Sequence, residues 1–120
     1  MNLRKKARRE WKVWRKFNRA MRFAPAGTRF EVGASYNAGH GWRPYYRLGA
    51  GAACVFLSPA EARGLVALVD GFKVAPAAWR LAPVVILHLF GELKRAADDC
   101  DRKNKSGEIM LPGMVAEQPA

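Results

Sequence analysis

A chain of 120 residues, half of them apolar and about a quarter charged, has the composition of a globular protein with room for one hydrophobic core, which excludes a second domain and a disordered or fibrous chain. Its 21 Lys and Arg against 10 Asp and Glu leave a formal charge of +11, an excess that points to an anionic partner. The longest apolar run, Leu81 to Phe90, is half of what a bilayer crossing needs, which excludes a transmembrane segment.

The charge sits in the first element. Residues 1–23 carry ten Lys or Arg and one acid, Glu10, for a net +9, whereas the remainder of the chain is nearly balanced. At about 100° per residue, Leu3, Ala7, Trp14, Phe17 and Met21 fall within roughly 40° of Leu3, with Trp11 and Val13 on the shoulders. Arg4, Lys5, Arg8, Arg9, Lys12, Arg15, Lys16, Arg19 and Arg22 fill an opposing sector of roughly 140°. This spacing predicts an amphipathic helix over 1–23, its Trp and Phe flank packed on the body and its basic face turned to solvent. Glu10 lies inside the apolar stripe, one turn after Lys6, where an i to i+4 pair is possible. Nine like charges on one face repel one another, and a phosphate backbone relieves that repulsion by releasing condensed counterions. A membrane-surface helix is the weaker reading, because the domain that follows needs the same apolar stripe. No uninterrupted apolar stretch follows the charges, so a secretion signal is not expected and a cytoplasmic location is. An Arg-rich organelle presequence is disfavoured by the absence of Ser and Thr from residues 1–27.

Ala24-Pro25-Ala26-Gly27 ends the helix. Antiparallel strands are expected over 28–57. Thr28 to Tyr36 alternates, with Phe30, Val32, Ala34 and Tyr36 on one face. Asn37 to Gly41 supplies turn chemistry, and Trp42 to Leu48 reads as the returning strand of a hairpin, which Pro44 marks as an edge. With Tyr46 and Leu48 toward the core, Arg43, Tyr45 and Arg47 lie on the outer face. Together with Trp42 they resemble a single-strand platform, in which rings stack on bases and guanidiniums hold phosphates, and which could share one anionic strand with the N-terminal helix. Gly49-Ala-Gly51 permits a bend before a third apolar run, Ala52 to Leu57.

Ser58-Pro59-Ala60-Glu61 is a capping box with Pro at the first helical position, opening a helix over 58–71 with Ala62, Leu65, Val66 and Val69 inward. After a turn at Pro76, a helix is expected over 79–101, kinked or restarted by Pro83. Val84 to Leu87 alone fits a strand equally well, but Ile86, Leu89, Phe90, Leu93, Ala97 and Cys100 sustain the helical period. Residues 102–120 read as a flexible tail. The fold class is α+β, one domain over 1–101.

The helix, three strands, helix order is similar to the double-stranded-RNA-binding domain. The run from a Tyr-rich strand through a Gly turn to Val55-Phe-Leu-Ser-Pro-Ala-Glu61 resembles the strand-to-helix junction of single-stranded-DNA-binding coactivators. The first family places a Lys-rich motif where this chain has Pro59-Ala-Glu-Ala-Arg63, and the second comparison covers a quarter of the chain. No residues are carried over from either.

Catalytic chemistry is not expected. His40 lies in the hairpin loop and His88 on an apolar helix, where it reads as a hydrogen-bonded core or boundary residue, and neither has a second ligand at i+3 or i+4. Asp98, Asp99 and Asp101 lack the Gly and Glu of a calcium loop and read as a solvated helix end. Gly49-Ala-Gly51 leads to a strand rather than a phosphate-binding helix N-terminus, and Ser58 is occupied as a cap. Cys54 and Cys100 lie outside a C-x-x-C pair and read as buried, reduced thiols. No metal or cofactor is expected. The leading expectation is a nonenzymatic protein binding nucleic acid, single-stranded DNA or RNA favoured. The alternative is a phage or mobile-element interaction protein that sets its basic helix into an acidic groove of a host protein or nucleoprotein.

Overall fold

The computed structural model describes residues 3–72, 77–107 and 109. In chain order it contains α1 (Leu3–Phe23), β1 (Phe30–Asn37), β2 (Gly41–Leu48), β3 (Val55–Phe56), α2 (Pro59–Phe72) and α3 (Pro83–Ser106). The α+β order is the expected one: one helix, an antiparallel sheet, with two or three strands expected and three present, and two helices. The expected Pro76 turn lies outside the described residues, as do residue 108 and residues 110–120 of the expected tail.

The sheet runs β1-β2-β3. Phe30 pairs with Leu48 and Asn37 with Gly41 without interruption. The turn is closed by the Asn37 side chain, whose Oδ1 accepts from Gly39 N–H at 2.8 Å, and by His40 N–H donating to the Asn37 carbonyl at 3.0 Å. β2 is therefore the central strand, which corrects the edge position inferred from Pro44. The correction has a clear cause. Leu57 N–H donates to the Pro44 carbonyl at 2.9 Å, so Pro44 presents its ring nitrogen toward β3, where a return hydrogen bond cannot form. β3 pairs only at Tyr45↔Phe56 and Tyr46↔Val55, and the ladder stops at the proline.

Beyond the end of β3, a side chain takes over the exposed border of β2. Asn104 accepts from Trp42 N–H at 2.8 Å and donates to the Trp42 carbonyl at 2.9 Å, bridging α3 to the sheet in the way a neighbouring strand would. Gly41, with φ +74°, lies beneath this clamp, and a Cβ there would come within 2.7 Å of Asn104 Oδ1. Only glycine fits.

α2 opens with the reciprocal box: Ser58 Oγ accepts from Glu61 N–H at 3.0 Å and Glu61 Oε1 accepts from Ser58 N–H at 2.8 Å. α3 starts at Pro83 after an extended Ala82, so Pro83 begins the helix rather than kinking it, and residues 84–90 are helical. The helix continues past the expected boundary at 101 to Ser106, where Gly107 adopts the left-handed conformation (φ 75°) that closes a helix C-terminus. Residues 102–106 thus belong to α3 and not to a tail.

The core lies between the helices and the sheet face that carries Val32, Tyr46 and Leu48. Its members are Phe17 and Met21 of α1, Ala62, Leu65, Val66 and Val69 of α2, Leu57, Trp79 and Leu81 from connecting segments, and Ile86, Leu89, Phe90, Leu93 and Ala97 of α3. Phe17 is its centre, with ring contacts to Tyr46, Trp79 and Phe90 at centroid separations of 5.3, 5.6 and 5.3 Å.

Candidate nucleic-acid interface

α1 is held by its C-terminal half. Phe17 and Met21 are fully buried, Trp14 packs at 5.9 Å on Trp79, and Asn18 Oδ1 accepts from Trp79 Nε1–H at 2.7 Å. Residues 4–12, by contrast, are all exposed, so nine residues spanning about 14 Å of helix project beyond the body. Trp11, expected on the docked flank, is 58 % exposed. The apolar stripe runs on past the surface that could cover it.

All of the predicted cations are exposed: Arg4, Lys5, Arg8, Arg9, Lys12, Arg15, Lys16, Arg19 and Arg22, together with Lys6. Elsewhere the carboxylates are engaged. Arg47 bridges Glu31 at 2.9 Å, Arg63 holds Asp98 at 2.8 Å and also Asp101, Arg95 pairs with Glu92, and Asp99 holds Arg102 and Lys103. Among the described residues none of these carboxylates reaches α1, and none of Lys5, Arg8, Arg9, Lys12, Arg15, Lys16, Arg19 and Arg22 has an ion-pair partner. The Lys6–Glu10 pair allowed by spacing is not formed. With the ion-paired acids committed to α2, α3 and the hairpin, Glu10 is the one described carboxylate on α1, too little to neutralise the positive field of its ten cations.

The hairpin is less available than expected. Strand parity is as predicted, but Trp42 shares the parity of Tyr46 and is 8 % exposed, packed on Tyr36 and beneath the Lys103 ammonium at 4.2 Å from its ring. Tyr45 lies on the opposite face yet is only 5 % exposed, because Phe56 covers it from β3 at 5.7 Å and Glu31 of β1 lies beside it. Burial first, then the negative charge of Glu31, pushes its ionisation up to about 12. Neither ring offers the open face that stacking needs, which corrects the expected platform. Arg47 is tied to Glu31. Arg43 lies 5.5 Å from the centre of the Phe56 ring.

Phe56, 46 % exposed, is an aromatic that the sequence reading passed over. Ala52 to Leu57 reads as a uniformly apolar run, but Val55 faces the core and Leu57 is buried, and strict alternation sends Phe56 to the other side. The signal was present in the parity. Because Phe17 of α1 touches Tyr46, α1 and the Arg43–Phe56 pair occupy opposite faces of the sheet. One short strand cannot run straight across both.

The other candidate groups do not assemble into a reactive site. His88 is exposed rather than at a hydrogen-bonded boundary, its ring 5.5 Å from that of Phe30; His40 is exposed in the hairpin loop. Cys54 is partly exposed and Cys100 buried, and both are free thiols; burial pushes Cys100 up to about 11. Asp98, Asp99 and Asp101 are ion-paired rather than merely solvated: Asp98 and Asp101 join α3 to α2 through Arg63, and Asp99 pairs within α3 with Arg102 and Lys103. Among the described residues no cluster of His, Cys, Asp or Glu could hold a metal, and no helix is long and apolar enough to cross a membrane. Comparison with protein-family models, curated proteins and solved structures gives no match.

Proposed function

We propose that this is a nonenzymatic, cytoplasmic protein that binds nucleic acid along the cationic face of α1, with single-stranded DNA or RNA favoured. The observation that carries this reading is the separation of charge within the fold: exposed guanidinium and ammonium groups along about five turns of α1, with Glu10 the one described acid among them and the ion-paired carboxylates elsewhere. A polyanion with regularly spaced phosphates is the ligand such a face attracts most strongly, and binding is mostly electrostatic and weakly sequence-specific. Trp11, standing out from the helix between Arg8 and Arg15, supplies the ring that Trp42 and Tyr45 do not, and unpaired bases are what it can stack on.

The test is a salt titration of binding to a random single strand. Contact with six phosphates gives a log-log slope of roughly −4, and a slope near zero removes the electrostatic argument. Random duplex DNA and RNA in the same assay rank the ligand classes. Absence of binding to all three below micromolar concentration transfers the role of α1 to an acidic groove on a host protein or nucleoprotein, as expected of a phage or mobile-element factor.

A further inference from the structure

β1 borders the sheet over eight residues, and the ladder shows which of its backbone groups are already used. Gly49 N–H donates to the Arg29 carbonyl at 2.9 Å, and the same register pairs Glu31 with Arg47, Gly33 with Tyr45 and Ser35 with Arg43. Hydrogen-bonded and non-hydrogen-bonded pairs alternate in an antiparallel ladder, so the odd-numbered residues of β1 face β2. The far side of β2 agrees, since its even-numbered Trp42 and Pro44 bond to Asn104 and Leu57. Phe30, Val32, Ala34 and Tyr36 therefore turn four N–H and four C=O groups outward. Among the described residues no hydrogen bond reaches them.

Proteins commonly blunt an edge of this length with Lys, Pro, a bulge or a covering element. The strand Phe-Glu-Val-Gly-Ala-Ser-Tyr-Asn contains neither Lys nor Pro, and its eight consecutive pairs leave no bulge. Among the described residues no element covers it, and a hollow of about 270 Å³ lies between residues 32–34 and Glu92, Arg95, Ala96 and Asp99 of α3.

We infer that β1 is the seam of a homodimer, in which two copies pair antiparallel about a twofold axis near Ala34 to form one six-stranded sheet. An antiparallel strand edge is self-complementary, as a closed twofold interface requires. The α3 surface beside the edge is self-complementary too: Glu92, Arg95 and Asp99 alternate in sign, and antiparallel apposition brings Glu92 of each copy toward Arg95 of the other, with Ala96 small enough to let the helices approach. α1 docks chiefly on α2, so its charge lies away from the seam. The dimer carries two α1 arms on its outer flanks, and a long polyanion that reaches both is held with an avidity beyond that of either.

The decisive measurement is the mass of the full chain by light scattering over a concentration series at moderate salt. The expected result is a rise to twice the 13.4 kDa of one chain. Ala34→Pro removes one outward N–H without touching a bond to β2, and is expected to weaken dimerisation at least tenfold with an unchanged circular dichroism spectrum. Should that variant misfold, amide exchange on the unaltered protein decides: the amides of Val32, Ala34 and Tyr36 gain protection with concentration while those of residues 4–12 do not. A chain monomeric up to about 1 mM, assemblies that grow beyond two, or an Ala34→Pro protein that dimerises as well as its parent would overturn the inference. None of these outcomes bears on whether α1 binds nucleic acid.

Discussion

Tyr46 is 1 % exposed and its hydroxyl has no hydrogen-bond partner among the described residues. Its ring is needed at the centre of the core, against Phe17, but the oxygen is a desolvated polar atom that gains nothing. Tyr46→Phe keeps the ring and is expected to raise stability by about 1 kcal/mol in urea unfolding. The same burial pushes Tyr46 ionisation from 10.0 to about 12. Below pH 10 the residue is protonated in both states and its contribution is constant. As pH rises from 10 to 12 the unfolded chain loses its proton and the folded one does not, so on the order of 2–3 kcal/mol drains away across that window. Tyr46→Phe should make the alkaline fall shallower, leaving the losses of Tyr45, raised from 10.0 to about 12, and of Cys100, raised from 9.0 to about 11, which have the same sign. Asn104 is the opposite case, a side chain fully used. Asn104→Ala strands the Trp42 N–H and C=O and should cost about 1–3 kcal/mol in the same assay, with Asn104→Asp, which keeps the acceptor and loses the donor, falling between.

At the scale of the element, α1 divides into an anchor and an arm. Trp11→Ala alters a ring already 58 % exposed and should shift stability by less than about 0.5 kcal/mol, while weakening single-strand binding by the 1–3 kcal/mol that one stacked base contributes. Charge reversal at Arg8, Lys12, Arg15 and Arg19 also falls on exposed positions. It is expected to leave the helical signal intact and to abolish binding in a gel shift, and retained binding would place the interface elsewhere. Deleting residues 1–23 is a poorer probe, because it also strips Phe17 and Met21 from the core. The anchor, the buried faces of α2 and α3, the capping box and the strand parities were all legible in the sequence, because each rests on a period or cap defined within a few turns of chain. The length of α1 that the body covers was not, since it depends on where Trp79 and Phe90 end up, some 60 residues away or more. Tyr45 escaped for a related reason: parity gave its face correctly, but its cover comes from Phe56 and Glu31 on two other strands. Pro44 misled because a proline can end a ladder in a central strand as readily as it marks an edge.

For the molecule as a whole, the +11 charge sets two responses to salt that run in opposite directions. The ion pairs of α2, α3 and the hairpin are largely solvent-exposed, so screening them costs little stability. Of the described carboxylates only Glu10 lies on α1, and screening the repulsion among its cations relieves an unfavourable term of the folded state. Raising NaCl from about 0.05 to 0.5 M, across which the Debye length falls from roughly 14 to 4 Å, is therefore expected to raise the midpoint of thermal unfolding and deepen the helical circular dichroism signal. Over the same range the proposed affinity for a single strand is expected to fall as counterions are released less favourably, by roughly 10⁴ for six phosphates. A protein whose stability and affinity both declined with salt would be one held together by its ion pairs, and the charge on α1 would then have a partner within the chain. The charge-reversed α1 variant separates the two cases, since its thermal midpoint should be higher than that of the parent at low salt and converge on it at high salt.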